Sequence, residues 1–101
     1  MNKLFLLLFF APTILLAQSL DVLFIGNSYT NANNLPQMVS ELALSFGDTL
    51  NFESSIAGGA TFSSHSTNIN TLNKISQNPW DYVVLQAQSQ EPSFSPNQVA
   101  N

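Results

Sequence analysis

Asp21-Val-Leu-Phe-Ile-Gly-Asn-Ser-Tyr-Thr30 is the stretch around which the rest of the chain is organised. Residues 22–25 are four consecutive apolar residues, mostly of strand-favouring types. That pattern predicts a strand buried on both faces of a parallel sheet. The strand stops at Gly26, and the polar run from Asn27 to Asn31 follows. In open α/β sheets ligands bind just past the carboxyl ends of strands, where loop N–H groups point outward. Ser28 stands at that position, where a nucleophilic hydroxyl is useful. Gly-Asn-Ser is also ordinary turn chemistry, because all three residues favour turns. The tripeptide alone does not separate the two readings.

Working outward, Asn34 reads as a helix N-cap and Pro36 suits the first turn, where its missing N–H costs nothing. Leu35, Met38, Val39, Leu42 and Phe46 recur at helical spacing, and Gly47 ends the pattern. The stripe reads as core packing on the sheet. Residues 50–56 alternate imperfectly and predict a second strand, which runs into the turn Ala57-Gly-Gly-Ala60. The polar segment 61–68 contains His65, the sole histidine. Ile69, Leu72 and Ile75 predict a second helix to about residue 77, where Asn78-Pro79 breaks it. Trp80-Asp-Tyr-Val-Val-Leu85 reads as a third strand leading into Gln86-Ala-Gln-Ser-Gln-Glu-Pro92, and Pro96 as a further helix start. Strands alternating with helices predict right-handed βαβ crossovers and a parallel sheet with helices on both faces. Three strands and two helices are too few to cover such a sheet. The expectation is therefore an incomplete α/β domain, residues 18–101 being the N-terminal part of a larger one.

The beginning of the chain has a different character. Lys3 supplies a positive n-region, residues 4–16 are almost unbroken apolar, and Ala17 precedes Gln18-Ser19. This is the layout of a secretory signal peptide over residues 1–17, which predicts a secreted or periplasmic protein. The apolar run is short for a transmembrane helix and holds Pro12. No stable membrane anchor is expected. With no cysteine, disulfides and thiolate metal sites are excluded. The net charge is −4, and Lys74 is the only cation besides Lys3. So weak a basic content argues against nucleic-acid binding, which needs several phosphate-neutralising residues.

Three loops are expected at one sheet edge: Gly26-Asn27-Ser28, Gly58-Gly59, and Gln86-Ala87-Gln88-Ser89-Gln90. They offer a hydroxyl, a glycine-rich backbone and side-chain amides. Those are the parts of an acyl-transfer site, a nucleophile with donors aimed at a developing oxyanion.

On the pieces Phe24-Ile-Gly-Asn-Ser-Tyr-Thr30, Ala57-Gly-Gly-Ala-Thr61 with His65, and Trp80 to Pro92, the sequence resembles the SGNH, or GDSL-like, hydrolases. It looks most like a branch of secreted Bacteroidetes-type proteins with Gly-Asn-Ser in place of Gly-Asp-Ser. The resemblance runs from Leu23 to about Pro92 and implies a three-layer, flavodoxin-like parallel-sheet fold. It implies Ser28 as nucleophile, with its own N–H as one oxyanion donor and the N–H of Gly59, or of neighbouring Gly58, as another. The family's third donor is an Asn after the third strand. Here only glutamines stand there, Gln88 being favoured and Gln86 and Gln90 its rivals. The family's C-terminal Asp-x-x-His, which supplies the base and its orienter, is absent from these residues.

His65 lies too early to match that base and reads either as a polar residue structuring the loop beside the glycines or as a group lining the site. A serine without a base is a poor nucleophile, so these residues alone are expected to be nearly inactive. The implied activity is that of a secreted esterase or deacylase acting on acyl esters of glycans or small molecules, with no cofactor and no metal. The alternative is a non-catalytic glycan-binding module on the same fold, in which Asn27, Gln86, Gln88, Trp80 and Tyr82 contact sugar.

Overall fold

The protein is described by a computed structural model over residues 16–97. Most of the expected signal peptide, and the continuation of any helix starting at Pro96, lie outside the described residues. The sheet has three strands, β1 (Ser19–Gly26), β2 (Thr49–Ile56) and β3 (Tyr82–Leu85), in the order β2-β1-β3. Both pairings are parallel, Ile25 lying opposite Ser55 on one side and Leu85 on the other. The expected strand arrangement is therefore present. Because β1 is central, its apolar run is covered on both faces. Val22, Leu23, Phe24 and Ile25 are all buried, Leu23 completely. Phe24 and Phe52 meet edge to face with ring centroids 6.2 Å apart, a favoured aromatic geometry. All three strands deliver their carboxyl ends to the same side of the molecule.

The connection from β1 to β2 holds α1 (Ser28–Asn31), a 3-10 turn over Ala32–Asn34, and α2 (Leu35–Ser45). Gly47 ends α2 as the spacing requires. Its φ is +86°, its N–H bonds Leu44 O at 2.9 Å, and the Asp48 N–H bonds Ala43 O at 3.0 Å. This is a Schellman cap, for which glycine is the least strained residue.

Two details differ from the sequence reading. Asn34 precedes α2 but is left-handed (φ 56°, ψ 52°) and makes no side-chain cap bond. Asn33 is left-handed too (φ 53°), a conformation asparagine tolerates better than most residues. Second, of the apolar stripe only Val39 lies on the packing face of α2. Leu35, Met38, Leu42 and Phe46 are exposed, whereas buried Pro36 and half-buried Val39, Ser40 and Ala43 face the sheet. Small side chains allow the helix to approach β2 closely, close enough for the Ser40 hydroxyl to donate to Leu50 O at 3.1 Å.

The connection from β2 to β3 holds α3 (Phe62–Ser66) and α4 (Ile69–Gln77). The polar segment 61–68 is thus partly helical. A capping box starts α3, with Thr61 Oγ1 accepting from Ser64 N and Ser64 Oγ from Thr61 N. Asn68 Oδ1 caps α4 through Asn70 N and Thr71 N. Helix α4 lies over β1 and β2. Its buried contact is Thr71, whereas Ile69, Leu72 and Ile75 are exposed. Strand β3 is exposed along its whole length. Between it and α4 opens an apolar pocket of about 180 Å³ lined by Ile25, Phe62, Leu72, Ile75 and Leu85.

Candidate functional site

The site is built around Asn27, the residue after the last one of β1. Its side chain is almost fully buried, at 2% exposure. Two side-chain hydrogen bonds and one from its backbone N–H tie the residue to three different segments. Oδ1 accepts from Tyr29 N at 3.0 Å, closing the turn that starts α1. Nδ2 donates to Ala60 O at 3.2 Å, reaching the glycine turn after β2. The backbone N–H donates to Gln86 Oε1 at 2.9 Å, reaching the loop after β3. An N–H donor on one side and a carbonyl on the other settle which way the side-chain amide points. One residue therefore joins all three loops named from the sequence.

Gln86 reinforces the joint. Its Oε1 also accepts from Thr30 Oγ1 at 2.8 Å, and its Nε2 donates to Ala87 O. The approach is close enough that Gly26 has no room for a side chain. A Cβ there would stand 2.2 Å from Thr30 Oγ1 and 2.6 Å from Gln86 Oε1, well inside contact distance.

Ser28 follows Asn27 and opens α1 with its side chain exposed. Its backbone N–H has no internal acceptor among the described residues, because Asn27 Oδ1 takes the N–H of Tyr29 and Asn27 O those of Thr30 and Asn31. The second loop turns at residues 57–60, with Ala60 N bonded to Ala57 O at 3.0 Å and Gly59 at φ +67°. This positive φ is the reason for glycine at position 59. Gly58 and Gly59 are exposed, and among the described residues their amides have no internal acceptor. In the third loop Gln88 is half-buried and its Oε1 accepts from Gln90 N at 2.7 Å. Its Nε2 has no acceptor among the described residues, whereas Gln86 Nε2 already donates to Ala87 O.

His65 is buried, at 5% exposure. Nε2 contacts Gly26 O at 2.8 Å and Nδ1 contacts Thr71 Oγ1 at 2.8 Å, which in turn meets Ser55 Oγ at 2.7 Å. Gly26 O can only accept, so Nε2 donates. Both ring nitrogens thus tie the end of β1 to α4, and neither reaches Ser28. Glu91 is the other ionisable group inside the site, at 4% exposure. Its carboxylate accepts from Gln88 N at 2.7 Å and from Phe62 N at 3.2 Å.

Sequence reasoning named Ser28, Gly59 and Gln88 but missed Asn27, Thr30 and Glu91 as the residues that hold them. Each has at least one partner distant in sequence, so local spacing alone does not mark them. The signal available was chemical, a polar side chain next to a buried strand end, where an unpaired group is costly. No protein-family model, curated protein or solved structure matches the chain.

Proposed function

We propose that this chain carries the nucleophile and the oxyanion donors of an exported serine ester hydrolase of the SGNH type. The observation that supports the reading is the joining of three loops through Asn27. It gathers an exposed serine hydroxyl, unengaged backbone amides and an unengaged glutamine Nε2 at one sheet edge. In the proposed cycle Ser28 Oγ attacks the ester carbonyl carbon and gives its proton to a general base. The oxyanion accepts hydrogen bonds from Ser28 N–H, Gly59 N–H and Gln88 Nε2. Collapse expels the alcohol, which takes that proton, and water then hydrolyses the acyl-serine. His65 is not that base, since both its nitrogens are committed to Gly26 and Thr71; the resemblance implies instead the histidine of a C-terminal Asp-x-x-His. The substrate class is an acyl ester on a glycan or a small molecule.

The donor assignment is tested on the full-length protein with p-nitrophenyl acetate. Gln88→Ala is expected to lower kcat about a hundredfold, the usual loss for one oxyanion donor. Gln90→Ala is expected to leave it unchanged. The reverse ranking would move the third donor to Gln90.

A further inference from the structure

The pocket beside α4, the exposed stripe of α2 and the open edge of β3 are apolar faces with no residue nearby that selects an occupant. The groove along the outer edge of β2 is filled in part by Lys74, whose Nζ donates to Ser54 O. Glu91 differs from all of these, because it is a buried carboxylate whose contacts lead to two catalytic loops at once.

Glu91 has no cationic partner among the described residues, and its carboxylate contacts are backbone amides. Oε1 takes Gln88 N at 2.7 Å and Phe62 N at 3.2 Å, with Oε2 at 3.4 Å from the same Phe62 N. Phe62, three residues after Gly59, is the first residue of α3, and Gln88 carries the side-chain amide. The Glu91 N–H also bonds Gln88 O at 2.9 Å, so the backbone of Gln88 is held from both sides. Hydrogen bonds from N–H groups to a carboxylate are shorter and stronger than neutral ones. Burying a carboxylate is costly unless it accepts such bonds. A neutral loop anchor would avoid that cost, yet the chain keeps a carboxylate where loops two and three meet.

We propose that Glu91 is a positioning residue that sets the Gly59 loop and the Gln88 loop in register, and so fixes the spacing of two oxyanion donors. The inference rests on the esterase reading above. Both amides meet at one oxygen, Oε1, and Oε2 only shares the Phe62 N–H at 3.4 Å. Oε1 holds both amides, so a glutamine with its oxygen in that place keeps both bonds. An aspartate, one methylene shorter, cannot span the two.

The test compares Glu91→Gln, Glu91→Asp and Glu91→Ala in the full-length protein, at a temperature where each is folded. Turnover of p-nitrophenyl acetate and amide hydrogen exchange at Phe62 and Gln88 are both followed. Glu91→Ala and Glu91→Asp are expected to lower kcat about 10- to 100-fold with KM little changed, since a displaced donor is lost mainly from the transition state. Both are expected to speed exchange at Phe62 and Gln88, and Glu91→Gln to restore kcat and exchange together. Should Glu91→Ala fail to fold, Glu91→Asp carries the comparison. A lowered melting temperature with wild-type kcat, or unchanged exchange at both amides, would overturn the proposal. Slow kcat in Glu91→Gln equal to that in Glu91→Ala would also overturn it. If Ser28→Ala keeps full activity, the esterase reading fails on its own, while the exchange data still decide whether Glu91 links the loops.

Discussion

Ser28→Ala in the full-length protein is expected to lower turnover of p-nitrophenyl acetate by several orders of magnitude. In the proposed cycle the hydroxyl oxygen forms the acyl-enzyme, so without it only binding and oxyanion stabilisation would remain. The fold should survive, because the Ser28 side chain is exposed and the turn is closed by Asn27 Oδ1 and Tyr29 N. KM is expected to change little, the hydroxyl contributing mainly to the chemical step. Circular dichroism and the melting temperature should match wild type, which separates loss of chemistry from loss of structure. Full activity in a folded Ser28→Ala protein would end the esterase reading.

Asn27→Asp is expected to have the largest effect on stability. The two side chains are nearly the same size, but aspartate cannot supply the donor that Asn27 Nδ2 offers to Ala60 O. One carboxylate oxygen would face that carbonyl at close range in a site 2% exposed to solvent. The lost bond, the unpaired carbonyl and the buried charge together are expected to cost about 2–4 kcal/mol. Urea unfolding checks this, with a lower midpoint and an unchanged slope expected. The same substitution converts Gly-Asn-Ser into the Gly-Asp-Ser of the resembled family. An unchanged midpoint would show that Asn27 does not join the loops through its side-chain amide.

The parts legible in the sequence were those set by local physics. Residues 22–25 have no polar position, so β1 had to be central and covered on both faces. Gly47 and Asn78-Pro79 end helices for reasons of backbone conformation, and both boundaries lie where the residues put them. The packing of α2 was not legible in this way. Helical spacing marks its longest apolar side chains, but the sheet accepts the side with Pro36, Val39, Ser40 and Ala43, because smaller residues bring backbone closer to backbone. Capping chemistry at Thr61 made a short helix inside a segment that composition marks only as polar.

The candidate site divides along the same line. Ser28, Gly59 and Gln88 follow strand ends and could be named from position alone. Asn27 bonds residues 33 and 59 positions away, and Glu91 bonds one 29 positions away. Those contacts exist only once the three strands are parallel and adjacent. For His65 the sequence left a structuring and a site-lining role open, and its bond to Gly26 O and the Thr71–Ser55 hydroxyl chain were not legible. They depend on α4 crossing over β1.

The central claim, that Ser28 is the nucleophile, is tested most directly by covalent capture. The full-length protein is treated with a fluorophosphonate, which bonds phosphorus to an activated serine oxygen with release of fluoride, then digested and mapped by mass spectrometry. One adduct is expected, on the peptide containing Ser28, and it should be lost in Ser28→Ala. An adduct on another serine, or none on a protein that hydrolyses p-nitrophenyl acetate, would contradict it.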